Sequence, residues 1–127
     1  MGERPKMRSY HDLVVWQRSV DLVVAVYGVT RGFPSSEKYG LVSQIQRAAV
    51  SIPSNVAEGQ ARNTPAAFAN HIDIALGSAA ELETQLLIAL KLGYLEQPAY
   101  DKLIAELTEI NRMLYGLLRC LRPRKSR

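Results

Sequence analysis

The sequence predicts an all-α protein, an up-down-up-down antiparallel four-helix bundle with a kink at Pro53 in the second helix. Apolar residues recur at alternating steps of three and four along four stretches of the 127-residue chain, a spacing that places them on one side of a helix. Loops of about 4 to 7 residues separate the stretches, and such short loops favour antiparallel neighbours. Apolar residues make up 47% of the chain, enough to fill a single core.

The first predicted helix covers about residues 11–30, with Asp12 in its first turn, where an acidic side chain suits the helix dipole. Its predicted buried stripe consists of Leu13, Trp16, Val20, Val23 and Tyr27. Residues 22–27 are apolar without a break, so on their own they would also suit a strand. A helix is favoured because the pattern extends over about twenty residues, longer than most strands. Apolar residues around the whole circumference indicate burial on two sides, one of them against another subunit.

The second predicted helix follows a turn at residues 32–36 and covers residues 37–58. Its apolar stripe consists of Val42, Ile45, Ala49, Ile52 and Val56. Pro53 lies inside this helix, where its missing N–H and its ring predict a kink or a short break. Gly59 is predicted to end the helix, because glycine is the usual residue just beyond a helix C-terminus.

The third and fourth helices have clear start signals. Thr64 is a suitable N-cap and Pro65 suits the first helical position, so the third helix is predicted to begin there and to end after Leu92, before Gly93. The fourth begins at Pro98 and ends near residue 121. The apolar stripe of the third helix is Phe68, Ile72, Ala75, Ala79, Leu82, Leu86 and Ala89. That of the fourth is Tyr100, Leu103, Leu107, Ile110, Leu114, Leu117 and Leu121.

The charge is concentrated at the two ends of the chain, although the formal net charge is only +4. Residues 1–8 and 119–127 contain eight basic side chains and one acidic one, a net charge of +7. Residues 9–118 contain eight basic and eleven acidic side chains, a net charge of −3. We therefore divide the chain into a basic N-terminal tail (1–10), a four-helix bundle (11–121) and a basic C-terminal tail (122–127).

The basic ends offer a candidate contact for RNA or DNA, because basic tails bind phosphates through counterion release without reading sequence. The candidate residues are Arg4, Lys6, Arg8, Arg119, Arg122, Arg124, Lys125 and Arg127. The alternative interpretation is that these side chains are simply solvated and keep the protein soluble.

No catalytic, cofactor or metal site is predicted. A di-iron site in a bundle requires Glu-x-x-His on two helices, and the residue three before His71 is Phe68. The single cysteine, Cys120, cannot form an internal disulfide, which is typical of a reducing compartment. Its basic neighbours would favour a reactive thiol, whereas its place beside an apolar stripe favours a packed one. The sequence shows neither a signal peptide nor an apolar run of membrane-spanning length, so we expect a cytoplasmic protein with no membrane partner.

A polar stripe on the second helix is the candidate contact surface. Its members recur at three- and four-residue steps, opposite the apolar stripe: Gln44, Arg47, Ser51, Asn55, Glu58 and Arg62. One interpretation is a solvated face with hydrogen bonds between successive turns. The other is a surface that contacts a partner, in which Arg47 binds a carboxylate or phosphate in bidentate fashion.

Three segments resemble the bacterial four helix bundle protein family, also called the 23S rRNA intervening-sequence proteins, which includes the accessory variability determinant proteins of diversity-generating retroelements. The segments are DLVVWQRSVDLVVAVY, FPSSEKYGLVSQIQRAAVSIPSNVAEGQAR and IALGSAAELETQLLIALKLGYL. The resemblance covers residues 11–121 and is most specific around Pro53, Asn55, Glu58 and Gly59. Glu37 and the six residues of the polar stripe also match the family pattern.

The resemblance implies a four-helix protomer that assembles as a homopentamer and has no known enzymatic activity. It also implies, for the retroelement members, binding to nucleic acid and to a reverse transcriptase through a strongly basic surface. The main hypothesis is therefore a non-enzymatic, homo-oligomeric interaction or scaffold protein, whose partners are copies of itself and another protein. The alternative is a nucleic-acid-binding accessory protein that uses the basic tails. A third hypothesis is an enzyme with a site between subunits.

Overall fold

The computed structural model describes Tyr10 and residues 13–122 and contains four long helices. They are α1 (Val14–Thr30), α2 (Leu41–Gln60), α3 (Pro65–Lys91) and α4 (Gln97–Leu121), with one 3₁₀ turn at Ser35–Glu37. Each helix packs against the next in the chain, and α4 packs against α1. The described part of the chain contains no strand. The predicted all-α four-helix bundle is therefore confirmed.

Helix α1 begins at Val14 rather than at residue 11, because Leu13 has extended backbone angles and occupies the N-cap position. Asp12, which the sequence predicts in the first turn, lies outside the described residues. The predicted buried stripe of this helix lies at the edge of the core: Leu13, Trp16 and Val23 are half-buried and pack against it. The buried residues are Val15, Ser19, Leu22, Val26 and Thr30, whereas Tyr27 of the predicted stripe is 40% exposed. Because α1 is apolar on nearly every side, its periodicity does not single out the side that meets the bundle.

Two side chains in that buried stripe are polar, and both find partners on the backbone of their own helix. Ser19 Oγ donates to the Val15 carbonyl oxygen at 2.6 Å, and Thr30 Oγ1 donates to that of Tyr27 at 3.1 Å. Each buried hydroxyl is thereby satisfied, which removes most of the cost of burying it.

Helix α2 begins at Leu41, four residues later than predicted, because residues 35–37 form the separate 3₁₀ turn. The Glu37 side chain caps α2: its Oε1 accepts from the Leu41 N–H at 3.0 Å. The helix continues through Pro53 to Gln60. The predicted break is therefore absent, and the predicted end at Gly59 is wrong; the bend at Pro53 stays a prediction.

The termini of α3 agree with their sequence signals. Thr64 Oγ1 accepts from the Ala67 N–H at 3.1 Å, and Pro65 occupies the first turn. At the other end Gly93 adopts φ +80°. The N–H groups of Gly93 and Tyr94 donate to the carbonyls of Leu90 and Ala89, the paired bonds of a Schellman motif. Helix α4 begins one residue earlier than predicted.

The core lies along the bundle axis, where the predicted stripes of α2, α3 and α4 meet. Its fully buried large side chains include Ile45, Ile52, Ile72, Leu82, Leu86, Leu107, Ile110 and Leu114. No helix in the described residues is long and apolar enough to cross a membrane.

Candidate functional site

The polar stripe of α2 runs along its junction with α3, and the structure divides it into two halves with different surroundings. The first half, Gln44, Arg47 and Ser51, lines a groove of about 410 Å³ between the two helices. Ala48 completes the α2 side, and Ser78 and Glu81 form the α3 side. The second half consists of Asn55 and Glu58 on α2 and of Arg62, which lies beyond the end of that helix at Gln60. These three side chains form hydrogen bonds within the protein.

The base of the groove is a pair of hydroxyl groups, one from each helix. Ser51 Oγ and Ser78 Oγ are 2.7 Å apart and share a hydrogen bond. The Asn55 amide reinforces this pair from one turn below, because its Nδ2 donates to the Ser51 carbonyl at 2.9 Å and to Ser51 Oγ at 3.0 Å. Ser78 is buried, with 8% of its surface exposed. The base of the groove is therefore ordered before any ligand arrives.

His71 on α3 extends this network toward the end of α2. Its Nδ1 lies 3.1 Å from Asn55 Oδ1. Because Asn55 Nδ2 already points at Ser51, the oxygen of this amide faces the imidazole and accepts, so His71 Nδ1 carries the hydrogen. Glu58 Oε1 lies 4.0 Å from the same nitrogen, and Arg62 pairs with Glu58 Oε2 at 3.1 Å. The second half of the stripe therefore joins α2 to α3.

Gly59 allows this close approach of the two helices. A Cβ at residue 59 would lie 2.6 Å from the Cβ of His71 and 2.9 Å from Cδ1 of Phe68. Real carbon atoms pack at about 3.5–4.0 Å, so any side chain here would push α3 away. The sequence predicts Gly59 only as a helix end. It does not relate His71 to Asn55, because these residues are 16 positions apart and no local pattern joins them.

The two charged side chains in the groove have no ionic partner. Within the described residues, neither Arg47 nor Glu81 forms an ion pair, even though they line the same groove. Four other arginines do pair with carboxylates: Arg18, Arg62, Arg112 and Arg122. An arginine without a carboxylate partner retains all its donors for a ligand.

The predicted nucleic-acid contacts fall mostly outside the described residues. Arg4, Lys6, Arg8, Arg124, Lys125 and Arg127 lie there, as does His11. Arg119 is exposed near the end of α4. Arg122 is engaged on α3, where its Nη2 lies 2.9 Å from Asp73 Oδ2 and 3.2 Å from Asn70 Oδ1. Of the two described basic residues, Arg119 is thus the more available to a phosphate.

The junction between α1 and α4 has the opposite character. Two apolar grooves lie along it, one of about 360 Å³ that includes Leu22 and Ala25, and one of about 470 Å³ that includes Val14 and the exposed Cys120. Arg18 also bridges these two helices, with its Nε and Nη2 donating to the two Glu106 oxygens at 2.9 and 2.8 Å.

This bidentate contact holds the pKa of the Glu106 carboxyl below its usual range and raises that of Arg18. Both side chains remain about one-third exposed, so solvent weakens the attraction between them.

Among the residues described, no three His, Cys, Asp or Glu side chains group closely enough to hold a metal ion. The polar groove between α2 and α3 offers hydrogen-bond donors, one carboxylate and two hydroxyls. This set of groups suits recognition of a polar molecule.

Comparison with known proteins identifies similar chains. A family model described as "23S rRNA-intervening sequence protein" matches residues 11–116. A crystal structure of a protein with unknown function from the S23 ribosomal protein family of Bacteroides thetaiotaomicron is 27% identical, with a TM-score of 0.78. The alignment covers 84% of this chain and 99% of that one. No curated protein matches the chain.

Proposed function

The chain belongs to the 23S rRNA-intervening sequence protein family, and from this premise we propose that it is a cytoplasmic, non-enzymatic interaction module that forms a homo-oligomer through the outer side of α1. The observation that supports this proposal is the exposure of Val24, which is 67% accessible in the middle of that helix. Val14 and Tyr27 are 56% and 40% exposed on the same helix. Three exposed apolar side chains on one helix support an interaction site on that helix.

The outer side of α1 contains few polar groups. Its exposed positions are Val14, Gln17, Asp21, Val24, Ala25, Tyr27 and Gly28. A solvated helix face would be mostly charged. Burying these apolar side chains against a partner would contribute about 25 cal/mol per Å² of apolar area removed from water.

A second copy of the chain is the partner that this surface suits. The apolar grooves of the α1–α4 junction lie on the same helix, lined by Val14, Ala25 and Val29 among others. In a closed ring each contact joins two different parts of the surface, so the exposed apolar side chains of α1 in one copy would pack into the apolar grooves of the next copy. The number of copies we propose, five in a closed ring, follows from the family resemblance.

Light scattering on the full-length protein tests the assembly. A pentamer has five times the 14.1 kDa mass of the chain, and a particle of a single chain mass at micromolar concentration would refute the proposal. Val24→Glu is expected to shift the mass toward that of the single chain, because a charge would be buried in the interface. Its helical content should persist, since exposed substitutions change folding stability by about 0.5 kcal/mol or less.

Thr84→Glu is the matched control. Thr84 is exposed on α3, so the same charge is added in the middle of a helix but outside α1. This variant is expected to retain the mass of the unmodified protein. If Val24→Glu also retains that mass, α1 is not the interface.

Binding to RNA or DNA is a second candidate function, and the concentration of basic residues at the chain ends favours it. Phosphate binding of this type weakens steeply with salt. We expect fluorescence anisotropy with a labelled RNA to show such a dependence, and deletion of residues 1–10 and 123–127 to remove most of the binding. Arg112→Gln, which removes one exposed cation from α4, is the control. Binding that survives the deletion unchanged would contradict this function.

A further inference from the structure

The groove between α2 and α3 combines two charged groups that form no ion pair within the described part of the chain. Gln44 and Arg47 lie on the α2 side and Glu81 on the α3 side. Arg47 and Glu81 do not approach within ion-pair distance of each other, or of any other charged side chain among those described. A cation and an anion on the two sides of one groove present opposite charges to the same bound molecule.

The hydroxyl pair at the base adds one more donor. Two hydroxyl groups have two hydrogens, and a single bond between Ser51 and Ser78 uses one of them. Either serine can donate in that bond, and Ser51 Oγ also accepts from Asn55. One hydroxyl hydrogen is therefore left over, and it can be donated to an acceptor that enters the groove.

We propose that this groove binds a small zwitterion in which a carboxylate is adjacent to a cationic nitrogen, the chemistry of a free α-amino acid. The carboxylate accepts from the Arg47 guanidinium, the Gln44 amide and the serine hydroxyl. The cationic nitrogen pairs with Glu81. The volume of about 410 Å³ is within the range of about 300–1,000 Å³ that is typical of small-molecule sites.

The charges on the two sides of the groove favour a zwitterion over a simple anion as the ligand. A phosphate carries close to two negative charges and would meet the Glu81 carboxylate, and like charges at short distance repel. A monocarboxylate without a cationic nitrogen would also meet the Glu81 carboxylate and would have no group to pair with it. Only a ligand with both charges satisfies both sides.

Four matched probes test the proposal on the full-length, isotope-labelled protein. Glycine contains the two charges in one molecule, acetate and methylammonium contain one each, and inorganic phosphate is the dianion. We expect glycine to produce saturable shifts in the NMR signals of the Gln44 amide and Arg47 Nε–H. The dissociation constant for glycine should be at least about tenfold below those of the other probes. If no saturable shift is seen up to about 100 mM glycine, the dissociation constant is about a hundredfold above 1 mM, and the proposal is overturned. Tighter binding of phosphate than of glycine would also overturn it.

Two variants assign the roles of the two sides. Arg47→Gln is expected to abolish the response of the Gln44 signal to glycine. Glu81→Gln is expected to reduce the glycine affinity to that of acetate, because only the carboxylate is then recognised. Arg112→Gln, which removes an exposed cation from α4, should leave glycine binding unchanged.

Both groove variants alter exposed side chains, so their folding should be unaffected, and circular dichroism checks this. If Glu81→Gln still binds glycine more tightly than acetate by the same factor as the unmodified protein, the proposal is also overturned. Light scattering measures the oligomeric state separately.

Discussion

Replacing Gly59 with alanine tests the close packing of α2 against α3. The added methyl group would lie 2.6 Å from the Cβ of His71 and 2.9 Å from Cδ1 of Phe68. The Phe68 ring can rotate away, but the Cβ of His71 is attached directly to the backbone of α3. Accommodating the methyl group therefore requires the helices to separate locally, which also stretches the hydrogen bond between His71 and Asn55.

The expected change in the free energy of unfolding is the sum of two opposing contributions. Alanine stabilises a helix interior by about 0.5–1 kcal/mol relative to glycine, because it loses less backbone entropy on folding. Overpacking in a well-filled interface costs about 1–3 kcal/mol. Gly77 on α3 is the matched control, since a Cβ there meets no atom within 4 Å. Gly77→Ala has the favourable term alone. Because Gly59 is the penultimate residue of α2, its favourable term is smaller, so the difference between the two variants is the packing term, about 1–3 kcal/mol, plus at most about 1 kcal/mol of backbone term.

Urea denaturation followed by circular dichroism measures this difference. Both variants and the unmodified protein are compared at one protein concentration, because the stability of an oligomer depends on concentration. We expect Gly77→Ala to unfold at a higher urea concentration than the unmodified protein, and Gly59→Ala at a lower one than Gly77→Ala. If the two variants are equally stabilised, the helices do not pack as closely at Gly59 as the structure shows.

Three further predictions concern single contacts, each measured by urea denaturation. Thr64→Ala removes the α3 cap and should cost about 1 kcal/mol; a change near zero would mean that the cap bond does not form in solution. Glu106→Gln should lower the free energy of unfolding by about 0.5–1 kcal/mol near neutral pH. This loss should disappear as pH falls through the lowered pKa of Glu106, because protonation breaks the Arg18 pairing in the unmodified protein as well. A loss that is independent of pH would contradict this reasoning. Tyr94→Phe removes the 3.0 Å hydrogen bond to Glu37 and should lower the free energy of unfolding by about 0.5–1.5 kcal/mol. Since that bond raises the Tyr94 pKa, the loss should persist below about pH 10 and shrink as pH rises through the raised pKa. A loss that stays constant with pH would exclude the bond as its source.

The candidate groove was only partly predictable. The spacing of Gln44, Arg47 and Ser51 placed them together on one side of α2, because the periodicity of a helix is a local property. The sequence did not show that Ser78 and Glu81 complete the groove from α3, or that Asn55 turns toward His71. These relations join residues that are far apart in the chain, and they depend on how two helices are placed side by side.

The sequence by itself determined the number of helices, their approximate bounds and the buried sides of α2, α3 and α4. It could do so because a stripe of apolar residues bounded by polar ones identifies the buried side of a helix wherever that helix packs. The tertiary structure alone decided which side of α1 enters the core, why α2 continues past Gly59, and how Glu37 caps α2 while it binds Tyr94. Each of these outcomes depends on contacts with another part of the chain, and a helix that is apolar on nearly every side is oriented only by the neighbours against which it packs.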